Sequence, residues 1–288
     1  MRRPAIRRSR RRVDGAIGAA VGRPRRRIEE PRDDALPPPR NALITGAARR
    51  IGAAIAADLA RHGWGVAIHC RTGREDAERL AASIRDDGGR AEVVCGDLAD
   101  IQSVYRIVGD AADRLGPIDL LINNASMFEK DEIGTLDPDL FERQLRVNLI
   151  APCLLADAFV ARLPEGVGGH IVNLVDQRVL KPTPQFFSYM LSKSALHMAT
   201  RTMAQALAPR VRVNAIGPGP TLANVRQSGD DFGRQAAAVP LGAGPDLAEF
   251  GQTIRYLVQT PSITGQMICL DGGQHLAWQT PDVVGIDE

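Results

Sequence analysis

Tyr189 and Lys193 stand four residues apart, and Asp176 lies thirteen residues upstream of the tyrosine. The run His170-Ile-Val-Asn-Leu-Val-Asp176 is apolar and ends on a polar residue, the pattern of a buried strand whose tip opens onto a site. The Ala-, Leu- and Met-rich stretch that begins near Phe187 reads as a helix. On a helix, positions i and i+4 share a face, so the phenol and the ammonium can point at one place. A phenol with a pKa of about 10 exchanges protons poorly at neutral pH until a nearby cation favours phenolate. Lys193 supplies that cation. Tyr-x-x-x-Lys alone also arises by chance in many helices, so its weight comes from the elements that position it.

The chain has 288 residues, 44% of them hydrophobic, enough for one large core and most simply one α/β domain. The net charge of +2 hides an asymmetry. Residues 1–40 hold 13 Arg against 5 acids, whereas the other 248 hold 23 Lys plus Arg against 29 acids. The basic character belongs to the head and the body is mildly acidic. Lys130, Lys181 and Lys193 are the only lysines beside 33 arginines, which makes an accidental lysine at the Tyr-x-x-x-Lys position less expected. Cys70, Cys95, Cys153 and Cys269 are widely spaced and form no C-x-x-C pair, which predicts no disulfide framework, no metal site and a reducing, cytoplasmic setting. No run of 18 apolar residues occurs, so no membrane span is expected.

The head, Arg-rich and closed by Leu36-Pro-Pro-Pro39, predicts a disordered extension over 1–40. It reads as a dispensable extension or upstream start, as an anionic-surface or nucleic-acid contact, or as a targeting peptide. Ser9-Arg-Arg resembles a twin-arginine export signal, but the apolar region after it is short and broken. The first reading is preferred, and no nucleic-acid partner is expected. The domain proper is placed at 41–280, followed by a tail at 281–288.

From Asn41, short β-branched runs alternate with longer Ala-rich segments. Strands are predicted at Ala42–Thr45, Val66–Cys70, Ala91–Cys95, Leu120–Asn123, His170–Val175, Val211–Ile216 and Gln266–Leu270, with helices near 50–62, 75–87, 101–115, 139–163, 187–208 and 246–259. Such alternation implies a doubly wound Rossmann-type α/β domain, a seven-stranded parallel sheet flanked by helices. Residues 221–240 read as one long irregular stretch, the kind that acts as a lid beside a site.

Thr45-Gly46-Ala-Ala-Arg49-Arg50-Ile51-Gly52 follows the first strand and opens the first helix. Glycines there let a backbone approach a pyrophosphate resting on the helix N-terminus. The second strand ends His69-Cys70-Arg71-Thr72, where a reader of a ribose 2′-hydroxyl would be an acid, and none appears before Glu75. Arg71 and Arg50 suit a 2′-phosphate instead, which predicts NADP(H). Arg71 as a plain solvated turn residue is the competing reading.

With Gly96-Asp97-Leu98, Asn123-Asn124-Ala125-Ser126, Val147-Asn148 and Pro218-Gly219 also in order, the chain over 41–275 resembles the short-chain dehydrogenase/reductase family. Within it, the resemblance is to pteridine reductases and the bacterial dihydromonapterin reductase-like branch. Three departures from the commoner pattern carry that narrower likeness. Arg50 takes a usual glycine, Ser126 followed by Met127-Phe128 takes another, and Asp176 stands where a serine is usual.

The resemblance implies roles. Gly46, Ile51, Gly52, His69 and Thr72 should line the cofactor channel with Asn124 and Ala125, and Asp97 with Leu98 should bracket the adenine. Ser126 and Arg50 should meet cofactor phosphate or substrate, and backbone near Pro218, Gly219 and Thr221 the carboxamide. Phe128 should stack on a flat heterocycle, with core packing as its bland alternative. Tyr189 should donate a proton, Lys193 hold ribose hydroxyls and lower the tyrosine pKa, and Asn148 anchor a water relay. A carboxylic acid at Asp176 can deliver a proton to a ring nitrogen, which C=N reduction requires, and burial would favour its protonated form; a loop cap is the alternative. His170, His197 and His275 show no ligand spacing. Gln177 and Arg178 could reach a substrate, and the sequence leaves that open. The reading is an NADPH-dependent reductase of a pterin such as dihydromonapterin, dihydrobiopterin or dihydrofolate. The first rival is a carbonyl or 3-oxoacyl reductase, the second a non-catalytic cofactor-sensing or nucleic-acid-binding protein whose basic head is the working part, and the family habit implies a homotetramer.

Overall fold

A strand covered on both faces by helices needs apolar residues at successive positions. Asn41–Ile44 (β1), Gly65–Cys70 (β2) and Leu120–Asn123 (β4) are buried at every residue. The computed structural model describes residues 40–223, 229–280 and 284. With Arg90–Cys95 (β3), Gly169–Leu174 (β5), Val211–Pro218 (β6) and Met267–Leu270 (β7), these strands form one seven-stranded parallel sheet in the order β3-β2-β1-β4-β5-β6-β7. The chain winds outward from β1 to β3 and then returns to place β4 against the other side of β1. That reversal leaves a crevice at the carboxyl ends of β1 and β4, where doubly wound sheets bind ligands.

Alternation along each strand divides the core. Ala42 and Ile44 pack with Ile55 and Leu59 of α1 (Arg50–Arg61), Ile84 of α2 (Arg74–Asp86) and Phe250 and Ile254 of α8 (Leu247–Gln259). Leu43 and Leu121 face the other layer, with Val104 and Ile107 of α3 (Ile101–Leu115) and Leu155 and Phe159 of α5 (Ala151–Arg162). All seven predicted strands are present, with ends shifted by one or two residues.

Two expectations need correction. The helix expected at 139–163 is α4 (Pro138–Leu145), a π-helical turn at Arg146–Ile150, and then α5. The side-chain pattern is helical throughout, and the widened turn shows only in the backbone. The expected irregular stretch at 221–240 contains α7 (Gly229–Ala237). This helix is short, has two glycines and buries no residue, so its composition reads as loop. Asp230 and Asp231 in its first turn and Arg234 in its last favour it through the helix dipole.

The continuous helical stretch Pro138–Arg162 is long and apolar enough on average to cross a membrane by length and composition, although charged residues interrupt it. Half of that apolar window is buried, and its Leu155 and Phe159 belong to the core.

Candidate active site

Tyr189 and Lys193 lie on the first turns of α6 (Phe187–Leu207), and both are buried. The helix begins without a capping side chain of its own, since Phe186 occupies the cap position in a left-handed conformation (φ 58°). Asp131, from the loop after β4, does that work. Both its carboxylate oxygens accept from the Ser188 N–H, at 3.1 and 3.2 Å. The helix N-terminus is thereby fixed next to the tyrosine.

The Tyr189 hydroxyl donates to Asp176 Oδ2 at 2.7 Å, and Asp176 Oδ1 accepts from the Arg178 N–H at 2.8 Å. Asp176 follows β5 and is half-buried, so it is more solvated than the sequence reading assumed. Desolvation, followed by the charge of Asp176 and its hydrogen bond, holds the Tyr189 pKa well above the ordinary phenol value. This corrects the expectation that Lys193 lowers it. The ammonium donates to the Leu174 carbonyl at 2.7 Å, and burial brings its own pKa down to about 8. Burial first, and then the acid on the phenol, hold the tyrosine protonated.

Asn148 sits in the π-helical turn, fully buried, and its amide is engaged by protein groups. Its Oδ1 accepts from Met127 N at 2.7 Å and Ser126 Oγ at 3.3 Å, while Nδ2 donates to Met127 O and Ser192 Oγ. The side chain thus ties the loop after β4 to α6 and makes no hydrogen bond to Tyr189 or Lys193.

Two cavities meet along the crevice and share Arg50, Ile51, Asn124, Ser126 and Phe128. The first, about 580 Å³, holds Asp176, Tyr189, Lys193, Pro218, Gly219 and Thr221, with Phe232 and Gln235 of α7 on its wall. The second, about 640 Å³, is lined by Gly46, Gly52, His69, Arg71, Thr72, Asp97, Leu98 and Ala125. Every residue expected at the cofactor lines one or both; of the candidate site residues, Asn148 alone lines neither. Gly46 has φ +62°, and a Cβ there would stand 2.9 Å from Ala125 Cα; at Gly52 it would meet Asn124 Nδ2 at 2.6 Å. The backbone turn therefore needs both glycines. Asn124 Nδ2 closes the turn from the other side, donating to Thr45 O and Gly46 O.

Several side chains stand otherwise than the sequence suggested. Arg50 has φ 57°, which explains why glycine suits that position. Its guanidinium donates to Ala223 O at 2.8 Å and Leu222 O at 3.1 Å, towards the segment after β6. Arg50 still borders the Arg71 cavity, and Arg49, paired with Asp76, lines it as well. His69 Nδ1 accepts from Gly46 N at 3.1 Å, and Nε2 faces Gly96 O at the same distance. With both ring nitrogens engaged and its pKa lowered to about 4 by burial, His69 is a neutral staple of the glycine turn. Phe128 already stacks on Phe186, with centroids 4.2 Å apart, and meets Tyr189 edge-on at 4.6 Å. Only the structure reveals Phe186, at the cap position of α6, as its partner.

The cysteines are closer than their spacing implied, with Cys70 and Cys95 Sγ 3.3 Å apart on the paired ends of β2 and β3. Cys269, Asp271 and His275 also gather within 4.8 Å, against the expectation of no ligand cluster. Both Asp271 oxygens accept backbone N–H groups there, and Oδ2 lies 2.7 Å from His275 Nδ1.

Residues 40–232 match the family described as short chain dehydrogenase. The solved FolM alternative dihydrofolate reductase 1 from Brucella canis, complexed with NADP, is 55% identical, with a TM-score of 0.83 over 85% of this chain and 97% of its own. The angucycline C-6 ketoreductase LanV with bound NADP is 29% identical, with a TM-score of 0.77 over 83% of this chain and 96% of its own. Trans-4-hydroxycyclohexanecarboxylate dehydrogenase of Sinomonas cyclohexanicum is 32% identical over 245 residues, 81% of this chain and 92% of its own. By fold, site and sequence, this chain belongs to the short-chain dehydrogenase family.

Proposed function

We propose that the protein is an NADPH-dependent reductase of a pterin-type C=N bond. The observation that carries this reading is the Tyr189–Asp176 hydrogen bond of 2.7 Å. It puts an acid beside the phenol where the commoner family residue is a serine, which cannot protonate a ring nitrogen. The 55% identity to the Brucella dihydrofolate reductase supports the same substrate class.

The chain's own groups fit the cofactor. The glycine turn admits a backbone-to-phosphate approach that a Cβ at Gly46 or Gly52 would block. Arg71 and Arg49 give the neighbouring cavity the charge that a 2′-phosphate needs. When bound there, NADPH supplies the hydride. Lys193, whose pKa near 8 leaves it mostly protonated at neutral pH, holds ribose hydroxyls. Tyr189 keeps its proton until transfer, because burial and Asp176 both disfavour phenolate. Asp176, half-buried and so open to solvent, then takes a proton from water and returns it to the phenol or delivers it to the ring nitrogen. Phe128 offers an aromatic face to the heterocycle, with Phe186 and Tyr189 fixing its orientation.

Carbonyl reduction on the same Tyr189–Lys193 pair is the second reading, favoured by the ketoreductase and hydroxy-acid dehydrogenase likenesses. NADPH oxidation against dihydropterins, quinonoid pterins, dihydrofolate and simple ketones decides between them. Turnover of ketones without pterins refutes the first. We further infer a cytoplasmic homotetramer whose catalytic domain is 41–280. The exposed apolar side chains Ile150, Leu191 and Met198 on α6 and the turn before α5 support association, and light scattering tests it.

A further inference from the structure

Arg178 is a residue that the reaction chemistry above does not use. It sits in the short 3-10 turn Gln177–Val179 immediately after Asp176, and its backbone N–H donates to that acid. Its half-buried guanidinium lies 5.5 Å from the Phe128 ring centre and 5.6 Å from that of Phe186. The two aromatic rings hold the group at the wall of the substrate cavity. One terminal nitrogen, NH1, is buried with no acceptor; the other two buried side-chain atoms without a partner among the described residues are oxygens, Asn123 Oδ1 and Gln177 Oε1.

An arginine carries donors only, so a buried guanidinium N–H without an acceptor can be satisfied only by something that brings one. Asp176 makes no hydrogen bond to that nitrogen. Asp176 has Oδ2 engaged by Tyr189 and Oδ1 by the Arg178 backbone. Two other cations of the cavity are engaged, the exposed Arg50 by Leu222 and Ala223 carbonyls and the buried Lys193 by the Leu174 carbonyl. Asp176 is the one acid among the described residues lining this cavity, against Arg50, Lys130, Arg178 and Lys193.

We propose that Arg178 is a specificity residue that reads an anionic group, a carboxylate or a phosphate, on the side chain of the reduced substrate. This rests on the pterin-reductase reading. A dihydropterin ring system is uncharged near neutrality, so the charge must come from its substituent. A charge-assisted bond to a carboxylate or phosphate is about twice as strong as a neutral one, and the planar fork suits either group. Lys130, at the exposed edge of the same cavity, adds to the attraction.

The test compares three substrates in the wild type, Arg178→Met and Arg178→Lys. They are dihydrobiopterin with a neutral side chain, dihydroneopterin monophosphate, and dihydrofolate with carboxylates. Methionine keeps apolar contact with Phe128 and Phe186, and melting curves report whether each variant folds. Arg178→Met should lower the ratio of kcat/KM for an anionic over the neutral substrate by about tenfold or more, chiefly through KM, whatever loss the substrates share. Arg178→Lys should recover part of the ratio, and added salt should narrow it in the wild type more than in Arg178→Met. The anionic substrate that responds identifies carboxylate or phosphate as the group read. An unchanged ratio, or equal loss on all three, overturns the proposal. If the wild type reduces none of them, the reductase reading has failed, and binding of folate and biopterin in the presence of NADP⁺ decides the matter. Selective weakening of folate in Arg178→Met sustains the role of Arg178, and equal weakening or none overturns it.

Discussion

Replacing Asp176 by serine restores the commoner family residue and tests the centre of the reading. The substitution removes the Oδ2 acceptor that lies 2.7 Å from the Tyr189 hydroxyl, and the negative charge beside it. It also removes the Oδ1 acceptor of the Arg178 N–H, although a serine hydroxyl can still accept locally. If Asp176 takes part in proton delivery to nitrogen, kcat on a dihydropterin should fall about 10²–10⁴-fold. That corresponds to roughly 3–5 kcal/mol of barrier at 1.36 kcal/mol per decade. The loss should appear in kcat as well as kcat/KM, as for an interaction made chiefly in the transition state. NADPH affinity should persist, because Gly46, Gly52 and Arg71 line the other cavity.

A second readout separates chemistry from packing. The charge of Asp176 and its hydrogen bond both raise the Tyr189 pKa, so the variant's phenol should titrate at lower pH than in the wild type. Ultraviolet titration can follow this, since Tyr105 and Tyr256, the other two tyrosines, are exposed. Tyr189→Phe should be comparably harmful, and the double variant should lose less than the product of the two. Full pterin turnover by Asp176→Ser with an unmoved phenol titration would reduce Asp176 to a turn cap and return carbonyl reduction to first place.

Arg71→Asp should lower the preference for NADPH over NADH about 10- to 100-fold by replacing an attractive group with a repulsive one; an unchanged ratio of Kd values would refute the 2′-phosphate assignment. Asp131→Ala removes the cap on the Ser188 N–H and should cost about 1–2 kcal/mol, a Tm drop of roughly 2–8 °C, measured by calorimetry. Burial lowers the His69 pKa from 6.5 to about 4, so the unfolded chain binds the proton first as pH falls. Its contribution is therefore complete above pH 6.5 and lost progressively down to about pH 4, and His69→Gln should flatten the Tm profile across that window. Deleting residues 1–38 should leave Tm and turnover nearly unchanged, because an Arg- and Pro-rich segment has little apolar surface to bury; a large activity loss in the truncated protein would show otherwise.

The sequence alone determined what depends on local chemistry and periodicity. Predominantly apolar runs marked the strands, since a sheet covered on both faces buries nearly every position, including the few polar ones such as His69 and Asn173. Gly46 and Gly52 marked the cofactor turn because no side chain fits there, and Tyr189, Lys193 and Asp176 stood out by type and spacing. Contacts between distant segments were decided only by the fold. The cap on α6 comes from Asp131, 57 residues before Ser188, and Phe186 meets Phe128 across the cleft. Arg50 turns towards residues 222 and 223, more than 170 positions away, a contact that no local pattern in the sequence shows. The same holds for the unpartnered nitrogen of Arg178, because whether a polar atom has a partner depends on every chain segment that passes near it. Type and spacing name the reacting groups, and only packing in three dimensions determines which of them are already engaged.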